Sequence, residues 1–445
     1  MNTPICSFLA KYASDNILRL HMPGHKGIGD FEQYDLTEVK GADSLYEANG
    51  IIKESEENAS ALFGCHTLYS TEGSSLAIRA MIHLALLMKK SDEKPLILAG
   101  RNAHKVFISA AALCDFDVEW LCSENASYLS CKISAKDVAD KLDGMDRLPS
   151  AVYITSPDYL GNMADVKGIA EVCHSRGVLL LVDNAHGAYL AFTEPSLHPI
   201  ALGADMCADS AHKTLPCFTG AAYLHLADTI PENIKARAKS ALALFGSTSP
   251  SYLILASLDK TNYYLESGYK DKLSQFTKEL DKAKAELSSI GYEIVGDEPM
   301  KLTVRTKSYG YTGYELADIL AKNKIVPEFY DEDYLVLMPT PEITAKELAK
   351  LEVVLLMAKK KEKITAEPPI LGLPERKLSP REAIFSEAET VKASDAKGRI
   401  LADITVGCPP AVPIVVSGEV IDENAIRAFE YYGIDHCSVV KQTNK

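Results

Sequence analysis

At 445 residues the chain is too long for one compact core and is expected to divide into about two or three domains. Its 61 acidic against 47 basic residues leave a formal net charge of −14, which lacks the basic footprint of sequence-independent nucleic-acid binding. With 47% hydrophobic and 24% charged residues the composition is ordinary globular usage, and the longest apolar runs, LALLM at 84–88 and VLLLV at 178–182, fall far short of a membrane span.

The opening MNTPICSFLAKYASDN lacks a basic start followed by a long apolar stretch, so no signal peptide is read. The ten cysteines (Cys6, Cys65, Cys114, Cys122, Cys131, Cys173, Cys207, Cys217, Cys408 and Cys437) are scattered, and none forms a C-x-x-C pair. That is the usage of reduced, core-packed thiols in a cytoplasmic protein. Residues 1–60 read as an N-terminal arm with few regular elements, because Pro23, Gly24, Gly27 and Gly29 interrupt any helix. Residues 61–265 alternate apolar runs with helical patterns and form the expected large domain. Strands are predicted at 95–100 (PLILAG), 151–155 (AVYIT), 178–183 (VLLLVD), 204–210 (ADMCADS) and 221–226 (AAYLHL). Helices are predicted over 75–90 and 165–176, the second closed by Gly177. Strands apolar on both faces, alternating with helices, predict an α/β architecture with a mostly parallel sheet covered on both sides. A helical pattern over 270–290 leads into a smaller α+β domain at 266–361, with strand 301–306, helix 312–322, strand 334–339 and helix 344–361. The Pro-rich stretch 362–374 reads as a linker, and 375–445 as a separate C-terminal domain.

In open α/β sheets ligands bind beyond the carboxyl ends of the strands, so polar residues there are the candidates. The run VLLLVDNAH delivers Asp183 to a strand end, followed by Asn184, Ala185 and His186. A buried carboxylate needs a positive or hydrogen-bonding partner, although an Asp here can equally cap the next helix. The run DSAHKTLP brings Ser210, His212 and Lys213 to the next strand end. A lysine held in a cleft there has a usable amine nucleophile, whereas one in a turn is an ordinary surface charge. TEGSS at 71–75 places Gly73, Ser74 and Ser75 at a helix start, which suits an anion or simple capping. Taken together, a phosphate cradle, a strand-end Asp and a strand-end Lys match pyridoxal 5'-phosphate. Asp183 would partner the ring nitrogen, Lys213 would form the Schiff base, and Gly73, Ser74 and Ser75 would hold the phosphate with Ser210 and His212 beside it. Ala185 is small enough to pack on the ring face. In RNAHK (101–105) His104 could stack on the opposite face, or serve as a helix-start residue. His21 and His25 are separated by Pro23 and Gly24, which forbid the helix that would align them, and no H-E-x-x-H occurs, so no metal site is expected.

The segments RLHMPGHKG (19–27), RNAHK (101–105), DNAHGAYL (183–190), DSAHKTLP (209–216), STSPSYLILASLD (247–259) and GCPPAVPIVVSGEVI (407–421) resemble the Orn/Lys/Arg decarboxylase family, in its short form without an additional N-terminal domain. The resemblance implies the aspartate-aminotransferase-like, fold type I architecture. It implies Lys213 as the Schiff-base lysine, Asp183 as partner of the ring nitrogen and His104 as the stacking residue, with Ser74, Ser75, Ser210 and His212 at the phosphate. It further implies that Ser247 and Thr248, in the STSP segment, reach the phosphate of a neighbouring subunit, so that the site is shared in a homodimer or higher homo-oligomer. Glu419 would face the distal cation of a basic amino acid, with Cys408 also at the substrate end. The chain departs from the family pattern at Asn184, in GSSLA after the phosphate glycine, and at Cys408, Ala411 and Ser417.

The implied reaction is pyridoxal-phosphate-dependent decarboxylation of arginine, lysine or ornithine to a polyamine-pathway amine, with Lys213 and His186 as candidates for returning a proton to Cα. The competing readings are another fold type I reaction (aminotransferase or lyase) and a catalytically weakened regulatory homologue. An aminotransferase needs an arginine clamp for the α-carboxylate, for which Arg305 is the candidate.

Overall fold

The computed structural model describes every residue except 90–92, 124, 125, 129, 408–411 and 443–445. The chain forms two compact units. The first comprises Met1–Glu93, Arg147–Tyr153 and Val166–Asp271; the second comprises Lys94–Asp146, Ile154–Asp165 and Lys272–Lys445.

Seven strands of the α/β part follow one another as β1 (His66–Ser70), β2 (Leu96–Gly100), β3 (Asp117–Leu121), β4 (Ala151–Thr155), β5 (Leu179–Asp183), β6 (Met206–Asp209) and β7 (Ala222–Leu226). In the first unit β5 and β6 pair in parallel, with Val182 opposite Cys207. β7 runs antiparallel to β6, with Asp209 opposite Tyr223, and antiparallel to β1, with Ser70 opposite Ala222. The mostly parallel sheet expected is met at β5–β6, and β7 is its antiparallel addition, because the connection from β6 to β7 contains only a short helical turn and no crossover helix. In the second unit β2 and β3 pair in parallel, with Leu96 opposite Asp117. Every residue of β2, β5, β6 and β7 is buried, which is the packing of strands covered on both faces.

The arm expected at 1–60 carries more regular structure than its Pro and Gly content suggested. Pro4–Ser14 is a helix with Pro4 in its first turn, where a missing N–H costs nothing, and it buries Ile5 and Leu9 on one face. Ile51–Phe63 is a second helix, closed by Gly64 at φ +68°. The helix expected from Ser75 begins two residues earlier, at Gly73, and runs to Met88.

The second unit continues with β8 (Glu293–Val295), β9 (Leu302–Arg305), β10 (Phe329–Tyr330) and β11 (Tyr334–Leu337), an antiparallel sheet ordered β10-β11-β9-β8. Its helices Gly313–Lys322 and Ala345–Met357 start from Thr312 and Thr344, each in a reciprocal capping box with the glutamate three residues on. The chain then forms β12 (Ala388–Lys392), β13 (Thr405–Gly407), β14 (Pro413–Val416), the helix Glu423–Tyr431 and β15 (His436–Val440). β12 pairs with β15 and β13 with β14. Leu401, Ile414, Val415, Ile421, Phe429 and Val439 form the buried centre of this part. Among the described residues no helix is long and apolar enough to cross a membrane.

Candidate active site

β5 ends on Asp183, which is only 1% exposed. The Tyr153 hydroxyl donates to its Oδ2 at 3.0 Å and the Ala185 N–H to its Oδ1 at 3.2 Å. Burial and the facing carboxylate push the Tyr153 phenol far above its usual range, so it stays an O–H donor. The next residue, Asn184, is held twice: its N–H donates to the Ala208 carbonyl at 3.0 Å and its amide Nδ2 to Asp209 Oδ1 at 2.7 Å.

Asp209 explains the departure at position 184. Its carboxylate is fully buried and its Oδ2 also lies 3.2 Å from His198 Nε2 and 3.1 Å from His225 Nε2. Burial alone would push this carboxyl up, but His198 and His225 outweigh it and hold it well below the usual range. Three N–H groups thus surround one carboxylate, and a glutamate at 184 would set a second negative charge against it. Sequence reasoning missed this network because His198 and His225 lie 11 and 16 residues from Asp209 and meet it only across the sheet.

β6 carries the chain to Ser210 and a single helical turn, Ala211–Thr214. Ser210 Oγ donates to Ser74 Oγ at 2.7 Å, which ties this strand end to the start of the Gly73–Met88 helix. Gly73 has φ +70°, and the space its Cβ would take is open, with no atom within 4 Å. A glycine start with two serines leaves room for an anion against a helix N-terminus. His212 Nδ1 lies 2.9 Å from the Ala221 carbonyl, so it carries the proton and directs Nε2 elsewhere. Lys213 Nζ lies 3.0 Å from His186 Nε2. Lys213 is exposed, whereas His186 is 6% exposed. Ser247 and Thr248 are exposed, and the Ser247 N–H donates to Glu72, the residue before Gly73, at 2.6 Å.

Asp183, Ala185, His186, Ser210, His212, Lys213, Gly73, Ser74 and Ser75 all lie in the first unit; His104 and Glu419 belong to the second. There His104 is exposed and caps the helix Lys105–Cys114, its Nδ1 accepting the Val106 N–H at 3.3 Å. Glu419 is 1% exposed, and both its oxygens face the Arg101 guanidinium, at 2.6 and 2.8 Å, with the Val416 N–H donating at 2.9 Å. Its expected role at a substrate cation therefore meets a different geometry, because a fully buried arginine already occupies that carboxylate. Arg101, the first letter of RNAHK, was not singled out from the sequence. Cys408 and Ala411 lie outside the described residues. Ser417 is fully buried. Arg305, the candidate aminotransferase clamp, is engaged by Glu367 at 2.8 Å and Glu293 at 3.4 Å.

Comparison with known proteins places this arrangement. The solved structure of Francisella novicida lysine decarboxylase LdcF matches with a TM-score of 0.81 at 19% identity, covering 99% of this chain and 81% of that one. The architecture is that of the fold type I pyridoxal-phosphate enzymes. Residues 3–291 match the Orn/Lys/Arg decarboxylase major domain and 362–436 that family's C-terminal domain. The chain is 31% identical to the arginine decarboxylase of Halalkalibacterium halodurans, over 95% of this chain and 91% of the relative. It is 30% identical to the uncharacterised Bacillus subtilis protein YaaO, over 96% and 93%. The chain belongs to the Orn/Lys/Arg decarboxylase family and is an enzyme of the amino-acid decarboxylase type.

Proposed function

We propose that the chain decarboxylates a basic amino acid, arginine, lysine or ornithine, to the corresponding polyamine-type amine and CO2, using pyridoxal 5'-phosphate held on Lys213. The observation that carries this reading is the pair of adjacent strand ends: β5 presents the buried Asp183 and β6 leads to Lys213, whose Nζ lies 3.0 Å from His186. The donor set fits the cofactor, since an acid, an amine and an open glycine–serine helix start lie on one unit. When bound, the cofactor supplies an electron sink for the pair left at Cα as CO2 departs.

The protein's part is positioning and proton management. Asp183, kept in place by Tyr153 and Ala185, would hold a proton on the ring nitrogen. Gly73, Ser74 and Ser75 would bind the phosphate, with Ser210 and His212 beside them, and Ala185 would lie against one ring face. For His104, which belongs to the second unit, stacking on the ring is what the family resemblance implies. Lys213 would hold the cofactor through its amine. Its Nζ lies 3.0 Å from His186 Nε2, so the two can exchange a proton and either would be placed to return one to Cα. Ser247 and Thr248, both exposed, would reach the phosphate of a second subunit.

Arg305 pairs with two carboxylates, which favours decarboxylation over transamination. The test is incubation with an equimolar mixture of arginine, lysine and ornithine. One of agmatine, cadaverine or putrescine should accumulate with CO2, and keto-acid products would overturn the reading. The purified protein should take up the cofactor with a visible absorbance band, and Lys213→Ala should abolish both the band and amine formation.

A further inference from the structure

Four buried side chains of the first unit, His198, Cys207, Asp209 and His225, turn their donor atoms toward one another. Cys207 and Asp209 stand two apart on β6 and so share one face of the sheet. His225 lies directly opposite Cys207 on antiparallel β7, which puts it on that same face. His198, from the segment leading into β6, supplies the fourth donor. None of the four is more than 1% exposed.

The spacing of the donors is that of a coordination shell. Asp209 Oδ2 is 3.2 Å from His198 Nε2 and 3.1 Å from His225 Nε2, and Cys207 Sγ is 3.7 Å from His198 Nε2. One nitrogen, sulfur or carboxylate oxygen from each residue lies within 4.8 Å of the other three. Bonds of about 2.0–2.3 Å to a tetrahedral zinc ion set its ligand atoms about 3.3–3.6 Å apart. The two imidazole rings stand at 83° to each other with centroids 5.0 Å apart, so they meet at their edges instead of stacking.

We infer that His198, Cys207, Asp209 and His225 form a structural binding site for a divalent, zinc-type cation. Two imidazoles, a thiolate and a carboxylate select a borderline-soft ion over magnesium or calcium. The Cys207 thiolate and the Asp209 carboxylate cancel the charge of the ion, so the buried assembly is neutral. Four protein donors leave no open position, which makes the site structural and not catalytic.

The surrounding residues support the same shell. Asn184 Nδ2 donates to Asp209 Oδ1 at 2.7 Å, which leaves Oδ2 for the ion. The Thr67 hydroxyl lies 2.9 Å from His225 Nδ1 and 3.4 Å from the Cys65 carbonyl. By donating to that carbonyl it can accept a proton from Nδ1, which frees Nε2 for the ion. Without the ion the two rings bond to Asp209 directly; with it, the ion takes the place of the Nε2 protons. The Phe63 ring, 4.6 Å from His225 and 5.7 Å from His198 between centroids, forms an apolar wall. A shell this deep takes up its ion as the chain folds. The four residues stand 9, 2 and 16 apart in the sequence, which is no recognised ligand spacing, so the expectation of no metal site, drawn from His21, His25 and the lack of H-E-x-x-H, did not reach them.

The test uses the full-length protein expressed with zinc supplied and purified without chelator. Elemental mass spectrometry should find about one zinc per chain, and protein from zinc-depleted cells should melt about 5 °C or more lower. X-ray absorption at the zinc edge should show one sulfur and three nitrogen or oxygen neighbours, matching the four donors. Protein expressed with cobalt(II) instead should show a thiolate-to-metal absorption band, and Cys207→Ser should lose it. Zinc below about a tenth of an equivalent, a zinc ion with no sulfur neighbour, or a cobalt band unchanged in Cys207→Ser would overturn the proposal. Metal content and X-ray absorption of the unsubstituted protein decide this even if the variant does not fold. Both are read without pyridoxal 5'-phosphate or amino acid, so their failure leaves the decarboxylase reading as it stands.

Discussion

Asp209 shows how much of the site's rigidity lies one layer below the residues that would touch a cofactor. Its carboxylate takes N–H groups from Asn184, His198 and His225, and through Asn184 it fixes the backbone between Asp183 and His186. Asn184→Glu places two carboxylates in contact in a buried setting, and we expect it to lower stability by about 3–5 kcal/mol in urea unfolding. The effect of pH on Asp209 has a definite sign. A carboxyl held below its ordinary value contributes stability that is fully present above about pH 4 and is lost as pH falls through the folded value. Asp209→Asn should therefore melt well below the unsubstituted protein at pH 7, with the gap narrowing as the pH drops below about 4. Strand-end logic made Asp183 and Lys213 legible in the sequence, because an apolar run leading to a charge defines a place in an α/β sheet. The Asp209 network was not legible, since Asn184, His198, Asp209 and His225 belong to four separate segments that only the fold brings together.

The β10–β11 hairpin carries its own titration at the scale of an element. Asp331 Oδ1 accepts the N–H groups of Asp333 at 2.8 Å and Tyr334 at 2.7 Å, while Oδ2 has no partner among the described residues. Burial pushes this carboxyl up to about 6. A raised acid contributes its stability below its ordinary value near 4, and that contribution is lost as pH rises through about 6. Asp331→Asn keeps the Oδ1 acceptor and removes the charge. Its melting temperature should exceed that of the unsubstituted protein by about 2–5 °C at pH 8, and the two should converge toward pH 4. The helix expected over 312–322 forms at Gly313–Lys322, its start capped by a Thr and a Glu three apart. β1 was missed because HTLYS looks half-polar; Thr67 and Ser70 are nevertheless fully buried, with the Thr67 hydroxyl 2.9 Å from His225 Nδ1 and Ser70 Oγ donating to the Gly73 carbonyl at 2.8 Å.

Across the whole molecule, the contact that most revises expectation joins residues 318 apart in sequence. Arg101, just beyond β2, and Glu419, just beyond β14, form a buried bidentate pair inside the second unit. Gly418 makes the turn that presents Glu419, at φ +89°, and a Cβ there would fall 2.1 Å from the Leu378 carbonyl. Glu419→Gln leaves Arg101 charged and buried without its counter-ion, and a loss of about 3–5 kcal/mol is expected in urea unfolding. A change of only a few tenths would instead mark Glu419 as available to a substrate cation.

Apolar runs alternating with helical patterns and the strand-end motifs by themselves determined the class of fold and the residues proposed to hold the cofactor, and the resemblance of six segments implied the family, because each is written in a short contiguous stretch. Tertiary structure alone decided which polar partners complete them. It set Asn184 against Asp209 and turned Glu419 inward onto Arg101. These pairings depend on strand register and on turns between distant segments, and no local pattern of residues encodes either.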